Sequence, residues 1–401
     1  MTFRGSALLA GLVALAAGCG ERLATPADCP TLCPGTGADV FDTVIVATPG
    51  ADSTYDGYAS QADVPSILVS NGLPQREARA FLRFSGRPDT ITVSETVHPY
   101  TTDSVVFSFA LEGRDPAAKD IRLYVHQIGR MLDTLTAFED IDSQLTDQTL
   151  IDSLVLPDTV NAGARIRVLV AGESLNRLMF APEDSGIVAI GLRVTGDRAT
   201  GLRLGSHLSP NGAPTFVTFA HVDVADTTLR KQSLTLGAEL ANYAIQGGEP
   251  ALQDDRHVVG TRRASRSLVR FSVPEGLRDS ISILRATLEL TLAAPIPGLP
   301  GDPGNLDLRG IVADFGAKSP IIASNIGFLS LVAGTTDIVS VDVRNLVSLW
   351  FIPDGPPSAL FLRVSPEGGT FALPEFLSTR AATGAPRIRV TYARPTQPGH
   401  P

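Results

Sequence analysis

The sequence predicts an all-β protein built from two tandem jelly-roll or β-sandwich domains, each with a short capping helix. Three observations predict this class. Short segments such as Thr287–Leu292 alternate polar and apolar residues, which is the period of a half-buried strand. Gly, Pro, Asp and Asn separate these segments at the spacing of β-turns. Finally, a set of motifs occurs twice in the same order, which indicates a duplicated unit.

Residues 1–18 have the parts of a secretory signal peptide. Arg4 supplies a positive charge, and the small apolar run Ala7–Ala17 is shorter than the roughly 20 residues that cross a bilayer. The segment Leu15-Ala16-Ala17-Gly18-Cys19 resembles the bacterial lipobox, although Ala16 stands where that family usually has Leu. The resemblance implies cleavage before Cys19 and acyl chains on that residue, which would hold the protein on a membrane. The alternative is an ordinary signal peptide followed by an incidental cysteine.

Gly20 and the segment that follows it bear on where in the cell envelope the protein is held. Gly20 stands where the lipobox family's inner-membrane retention signal usually has Asp, so the resemblance favours an outer-membrane lipoprotein facing the periplasm or the outside. Residues 19–39 are predicted to be the lipidated cysteine and a flexible tether, because this stretch is rich in Pro, Thr, Gly and Ala. Within it, Cys29 and Cys33 can form a local disulfide after export. A small loop without chemical consequence is the alternative.

The duplication sets the predicted domain boundaries. Four pairs of motifs match in the same order along the chain: Arg79–Phe84 with Arg266–Phe271, Val168–Pro182 with Val339–Pro353, Gly191–Val194 with Phe361–Val364, and Gly212–Phe219 with Gly384–Tyr392. The separation within a pair drifts along the chain, as changes in loop length would produce. We therefore predict a first β-sandwich domain at 40–225, a second at 226–394, and a disordered Pro-rich tail at 395–401.

One segment of each repeat has a helical rather than a strand period. Val343, Leu346, Val347 and Trp350 fall at i, i+3, i+4 and i+7, which predicts a short amphipathic helix. The matching segment of the first repeat is 173–179. Trp350, the only tryptophan, belongs to this apolar stripe and is therefore predicted to lie in the core.

The order of these motifs resembles the DNRLRE-type β-sandwich domain of secreted and cell-surface bacterial proteins. In the second repeat the resemblance is carried by residues 268–271, 287–292, 339–350, 362–364, 378 and 386–392. The first repeat departs from it at Met179, which stands where the tryptophan would be. The resemblance implies a tandem β-sandwich protein, related to carbohydrate-binding modules. It implies no particular ligand-binding residues.

Composition and motif searches argue against several functions. The net charge of −9 disfavours nucleic acid as a partner. The Gly172-Glu-Ser174-Leu-Asn176 segment lacks the last glycine of a nucleophile elbow and falls in the predicted helix. The six histidines are scattered, without the spacing of metal ligands. We therefore expect no enzymatic activity and no cofactor, with structural calcium as the one exception.

Two sets of residues are candidate sites. Tyr55 and Tyr58 lie in a loop-like stretch where they can face a ligand, although covering the edge of the sandwich is the simpler interpretation. Asp140, Asp142 and Asp147 form an acidic stretch whose oxygen atoms suit calcium, although no glycine occupies the turn that an EF-hand requires and a solvated acidic loop is the default.

The sequence leaves two functions in competition. The first is a surface lipoprotein whose sandwiches bind an extracellular polymer such as a polysaccharide, and this predicts aromatic side chains exposed in a groove. The second is a structural, assembly or adhesion module that docks another envelope protein. It predicts an exposed apolar patch or an open strand edge.

Overall fold

The computed structural model describes residues 39–58, 64–73, 76–93, 95–178, 186–223, 230–246, 253–261, 263–277, 281–300, 302–324 and 326–394. The described chain is mostly β-strand with few helices, so the predicted all-β sandwich class is confirmed. The strands are β1 Asp39–Val46, β2 Ser53–Tyr55, β3 Ser66–Asn71, β4 Ala78–Phe84, β5 Thr90–Val93, β6 Thr96–Pro99, β7 Thr101–Arg114, β8 Arg122–Gln127, β9 Leu150–Val155, β10 Arg165–Ala171, β11 Val188–Thr195, β12 Thr200–Gly205, β13 Thr215–Val222, β14 Arg230–Ile245, β15 Arg256–Val258, β16 Arg266–Arg270, β17 Ser282–Thr291, β18 Pro303–Gly310, β19 Gly327–Val332, β20 Ile338–Asp342, β21 Ala359–Ser365, β22 Glu375–Leu377 and β23 Arg387–Arg394. The α-helices are α1 Phe138–Asp142, α2 Glu173–Arg177 and α3 Arg344–Trp350.

The first sandwich is built around the two long strands β7 and β14, and β14 takes part in both layers. β7 pairs with β10 and β13 along most of its length and with β12 near its end. β14 pairs with β13 through its first half and with β4 through its second half, with a register shift between Ala238 and Leu240. Such shifts bend a strand and let it pass from one sheet to the other. The core between the layers includes the mutually packed rings of Phe84, Phe107 and Phe216.

The second sandwich has two separate sheets. One has the order β1-β23-β17-β20 and the other the order β19-β18-β21-β16-β2, and β15 pairs with β22 beside them. Alternation along β17 and β20 directs every second side chain into the core. α3 packs against β17 and buries Leu346, Val347 and Trp350. The helical spacing in the sequence therefore predicts both this helix and its buried face correctly.

The two sandwiches have the same strand plan. One sheet of the first sandwich has the strand order β14-β4-β11-β8-β9. The corresponding sheet of the second sandwich has the order β2-β16-β21-β18-β19. On each sandwich the outer face of this sheet carries a small apolar cluster under the loop between its last two strands. The other sheet is β14-β13-β7-β10 in the first sandwich and β1-β23-β17-β20 in the second.

The strand pairing departs from the predicted domain boundaries at 40 and at 225–226. β1 and β2, placed in the first domain by the sequence, pair with β23 and β16 of the second sandwich. β14, placed at the start of the second domain, pairs with β13 and β4 of the first. Motif matching finds repeated segments but not their partners, which are chosen by long-range pairing. The second sandwich is therefore discontinuous in sequence.

Candidate functional site

One candidate site is a cleft of about 630 Å³ at the junction of the two sandwiches. Leu73, from the loop between β3 and β4, contributes the wall from the first sandwich. The other lining residues belong to the second sandwich: Arg256, Ala294, Pro295, Ile296, Pro297, Gly298, Pro300, Ala333, Gly334, Leu373 and Glu375. Three prolines restrict the backbone of the 294–300 loop, so this wall of the cleft is stiff.

Gly298 fixes how closely this loop approaches the chain around residue 372. Its φ is +146°, in a region that other residues rarely adopt. A Cβ atom at this position would lie 3.1 Å from the backbone nitrogen of Ala372. The glycine therefore allows the cleft wall to pack directly on the 371–372 backbone.

Arg256 and Glu375 are the charged residues of the described cleft lining. They lie on the paired strands β15 and β22, and Arg256 Nη1 is 2.9 Å from Glu375 Oε2. The arginine side chain is 35% exposed and the glutamate side chain 22%, so both remain accessible from the cleft. The lining thus presents apolar walls with one ion pair, which can bind a polar or acidic group.

A buried polar network joins the sandwiches beside the cleft. Arg203 of β12 lies 3.0 Å from Asp302 of the second sandwich, and both side chains are almost fully buried. Asp302 Oδ2 also accepts hydrogen bonds from the backbone nitrogen of Phe371 at 2.8 Å and from Thr370 Oγ1 at 3.0 Å. Burial raises the pKa of Asp302 despite these partners.

Further contacts fix the same junction. Arg76 Nη2 donates to the Thr370 carbonyl at 2.8 Å, and the Tyr243 hydroxyl donates to the Gly368 carbonyl at 2.6 Å. Phe371 itself belongs to the core cluster of the first sandwich. Because apolar and polar contacts act together here, the width of the cleft is set by a packed interface.

A buried aspartate–histidine pair, which the sequence analysis does not predict, lies inside the second sandwich. His257 Nε2 is 2.9 Å from Asp52 Oδ2, and the two side chains are 1% and 0% exposed. Asp52 also accepts hydrogen bonds from the backbone nitrogen of Thr379 at 2.7 Å and from its hydroxyl at 2.5 Å. On the other side of the imidazole, Nδ1 is 3.5 Å from Thr54 Oγ1, which contacts Ser267 Oγ at 2.8 Å.

This acid, imidazole and hydroxyl arrangement holds the leading segment of the chain in place. Asp52 and Thr54 belong to that segment, whereas His257, Ser267 and Thr379 belong to the second repeat. Ser267 and His257 are too deeply buried to meet a substrate. No local spacing in the sequence signals this pair, because its members lie in opposite halves of the chain.

The outer face of the β1-β23-β17-β20 sheet carries a depression of about 520 Å³. Glu289 is one of its lining residues, and its carboxylate oxygens lie 2.6 Å from Arg387 Nε and 2.5 Å from Arg389 Nε. Burial alone would raise the pKa of Glu289, but hydrogen bonds from these arginines outweigh it and lower the pKa. Asp42 Oδ1 accepts a hydrogen bond from Thr391 Oγ1 at 2.6 Å on the same face.

Tyr55 and Tyr58, the predicted ligand-facing residues, do not line the cleft. Both pack on the small cluster formed by buried residues such as Leu268 and Phe361 on the outer face of the second sandwich. The Tyr58 hydroxyl donates to the Ala317 carbonyl at 2.7 Å, and the Arg266 guanidinium lies 4.2 Å from the Tyr58 ring centre. In the described structure, these contacts place both tyrosine side chains over the outer face of the second sandwich.

The predicted calcium ligands are not brought together. Asp142 Oδ1 accepts from Arg79 Nε at 2.6 Å, which neutralises its charge. Asp140 Oδ2 accepts from the backbone nitrogen of Ala137 at 3.2 Å, at the start of α1. Within the described ranges, no three His, Cys, Asp or Glu residues, Asp147 included, are grouped to hold a metal ion. The acidic stretch instead caps a helix and pairs with an arginine.

Several predictions fall on parts of the chain outside the described residues. These are the signal peptide at 1–18, the lipidation site Cys19, the predicted tether up to residue 38 with the disulfide partners Cys29 and Cys33, and the tail at 395–401. None of the described helices combines the length and apolar content needed to cross a bilayer.

Comparison with known proteins adds no family assignment. The chain matches no protein-family model and no curated protein. Among solved structures, the tandem CBM22-1-CBM22-2 domain of Paenibacillus barcinonensis Xyn10C is similar at 10% identity and a TM-score of 0.15, over 87% of this chain and 98% of that one. A structure described as BspA_C_mut has 7% identity and a TM-score of 0.12, over 89% and 84%. Scores this low carry no argument about fold or ligand, and the DNRLRE-type resemblance stays a prediction.

Proposed function

We propose that the protein is a non-catalytic lipoprotein of the cell envelope, anchored through Cys19, that binds a segment of extracellular polysaccharide in the cleft between its sandwiches. The observation that carries this proposal is the cleft itself. It lies at a junction fixed by buried contacts, and both repeats contribute to it. Concave, preformed sites with apolar walls and few polar groups are typical of ligand binding.

The chemistry of the lining supports binding rather than catalysis. Glycoside hydrolysis commonly needs two carboxyl groups that flank the scissile bond, whereas the described lining has one, Glu375, already paired with Arg256. Acyl transfer needs a nucleophile beside a base, and no Ser, Thr, Cys or His is among the lining residues that the structure describes. The composition of the described lining therefore supports ligand binding as the role of this site.

The lining also favours a particular kind of polymer. Its described part contains no aromatic side chain, so sugar rings would be held by hydrogen bonds and charge rather than by stacking. Arg256 is the cation of the described lining, and charge-assisted hydrogen bonds to carboxylates are stronger than neutral ones. We therefore expect acidic polymers that contain uronic acids to bind better than neutral ones.

A glycan array with the full chain carrying Cys19→Ser tests this proposal. We expect binding to uronic-acid polymers, reduced on the order of tenfold by Arg256→Ala, since a hydrogen bond to a charged group contributes about 1.5–3 kcal/mol. Arg389→Ala is the matched control, because Arg389 lies on the open sheet face outside the cleft. Failure to bind any glycan, or equal loss in both variants, would remove the proposal.

The anchor has its own test. Cys19→Ser removes the thiol that the lipobox resemblance identifies as the lipid site, so we expect the protein to move from the membrane fraction to the soluble fraction of cells. A conservative Cys29→Ser variant should stay with the membrane. An unchanged distribution of the Cys19→Ser protein would disprove lipid anchoring at this residue.

Docking of another envelope protein is the second candidate, and the edge of the β1 strand favours it. Among the described residues β1 pairs with β23 alone, so its other edge offers free backbone groups. Val40, Val44 and Val46 on this strand are 59%, 44% and 53% exposed. A photo-crosslinking side chain at position 44 in intact cells should give a discrete adduct that the same group at position 340 does not. Identical patterns at the two positions would argue against docking here.

A further inference from the structure

β14 is the counterpart in the second repeat of the leading strands β1 and β2. β1 and β2 precede the motif that begins at Arg79, and β14 precedes the matching motif that begins at Arg266. The pairing partners agree: Tyr55 of β2 lies opposite Arg266, and Ala244 of β14 lies opposite Arg79. Each repeat is thus preceded in sequence by an equivalent leading segment.

The two leading segments are exchanged between the repeats. The segment that precedes the first repeat completes both sheets of the second sandwich, through β1 on β23 and β2 on β16. The segment that precedes the second repeat, β14, completes the first sandwich through β13 and β4. Within one molecule, each sandwich is therefore completed by the segment that precedes the other repeat.

The donor strand β1 and the rest of the leading segment hold the second sandwich by specific contacts. β1 pairs with β23 along its whole length, from Asp39 opposite Arg394 to Val46 opposite Arg387. Ile45 and Ala47 enter the core of the second sandwich. Asp52 adds the buried pair with His257. None of these contacts depends on which molecule supplies the segment.

We propose that residues 39–58 complete the second sandwich of a second copy of this chain in place of their own when two copies meet at high concentration. In domain exchange the same contacts form within or between molecules, so the choice depends on effective concentration and on the connection between donor and acceptor. Here the donor lies at one end of the described chain and on the edges of both sheets. It can leave without removing any strand of the first sandwich.

β14 provides an internal contrast. It lies between β13 and β4 and is bonded to both, and its neighbours in sequence, β13 and β15, belong to different sandwiches. Its release would open the first sandwich, so exchange between copies is confined to residues 39–58. This inference does not depend on the ligand proposed for the cleft.

Disulfide trapping between two full-length variants tests the exchange. Asp42 and Thr391 are paired across β1 and β23 and their side chains touch. With Cys19, Cys29 and Cys33 replaced by Ser, one chain carries Asp42→Cys and the other Thr391→Cys. After mixing at high concentration and brief exposure to mild denaturant, we expect a covalent heterodimer, because the exchange places β1 of one molecule on β23 of the other.

Ser340→Cys replaces Thr391→Cys in the matched control, because Ser340 is on the same sheet face but on β20, the opposite edge strand. The exchange predicts several-fold more heterodimer with Thr391→Cys than with Ser340→Cys, and equal yields would overturn it. Both cysteines in one chain should give an internal disulfide, and its failure to form would overturn the pairing itself. Val44→Cys with Arg389→Cys, another pair in the same register, repeats the test if the first pair perturbs folding.

Discussion

At the scale of single residues, burial decides what an acid–imidazole pair contributes. Asp52 and His257 are fully buried at 2.9 Å, whereas Asp103 and His221 of the first sandwich are 2.6 Å apart with side chains 44% and 25% exposed. Removing one partner of a buried pair costs about 3–5 kcal/mol, and an exposed pair is worth about 0–1 kcal/mol. We expect Asp52→Ala to lower the unfolding midpoint in denaturant strongly and Asp103→Ala slightly. Equal shifts would contradict the structure.

The same carboxylate predicts a dependence on pH. Burial raises the pKa of Asp52, but hydrogen bonding from His257 and Thr379 outweighs burial and holds the pKa well below its usual value. Unfolded aspartate has a pKa of about 3.9. A depressed folded pKa gives stability that is complete above the unfolded pKa and is lost as pH falls toward the folded pKa. The free energy of unfolding should therefore fall below about pH 5, and less steeply in Asp52→Asn. Parallel curves for the two proteins would refute this assignment.

The sequence predicts the environment of a residue where its neighbours in the chain determine it, and does not where residues distant in the chain determine it. The spacing of Leu346, Val347 and Trp350 predicts a buried helical stripe, and all three side chains are buried. The partnership of Asp52 with His257 has no local signature. In the sequence Asp142 is one carboxylate of an acidic stretch, and its use by Arg79 follows from tertiary packing that the sequence does not reveal.

At the scale of elements, α3 should contribute more stability than its seven residues suggest. Trp350 is 6% exposed and stacks with Phe271 at 5.6 Å between ring centres. Replacing a buried Trp or Phe with Ala costs about 3–5 kcal/mol, so Trp350→Ala should markedly lower the thermal midpoint. Ile352→Ala is the control, since Ile352 is 53% exposed and surface changes cost within about 0.5 kcal/mol. A small effect at Trp350 would mean that the helix does not cap the core.

β14 completes the strand pairing of the first sandwich and shows why that pairing departs from the sequence-based boundary. Residues 64–245 contain every strand from β3 to β14, whereas 40–225 lacks β14 and carries β1 and β2, whose partners are elsewhere. Without β14, β13 and β4 both lose a neighbour and the core opens. We expect the 64–245 fragment to unfold cooperatively and the 40–225 fragment to lack a transition. The reverse result would restore the boundary inferred from the motifs.

At the scale of the whole molecule, fold class and duplication are accessible from sequence because both depend on local period and order. The exchange of leading segments between the repeats is not accessible, because β1, β2 and β14 stand at equivalent positions before the repeated motifs and only packing decides which sandwich each completes. The cleft is also not predictable from the sequence. Its walls combine Leu73 with the 294–300 loop, and their meeting depends on the buried Arg203–Asp302 junction.

Because the first and last described strands, β1 and β23, are paired, the chain is a candidate for circular permutation. Asp39 and Arg394 are paired at adjacent ends of the antiparallel strands β1 and β23, so a short Asn-Gly turn can join 394 to 39 as a hairpin. Opening the chain between Tyr58 and Val64 then makes the second sandwich continuous. Because every strand pair is retained, we expect the permuted protein to keep the β-rich circular dichroism spectrum and a cooperative unfolding transition.

A permuted chain that joins the same ends but opens between β7 and β8 is the informative comparison. It cuts the first sandwich between Arg114 and Arg122, inside a loop held by buried Asp115, Ala118 and Ile121. We expect this second permutant to be the less stable of the two in denaturant titrations, since insertion of new ends is tolerated best where the backbone is not buried. If instead the first permutant fails to fold while the second folds, the leading segment does not belong to the second sandwich, and the exchange of strands between the repeats is wrong.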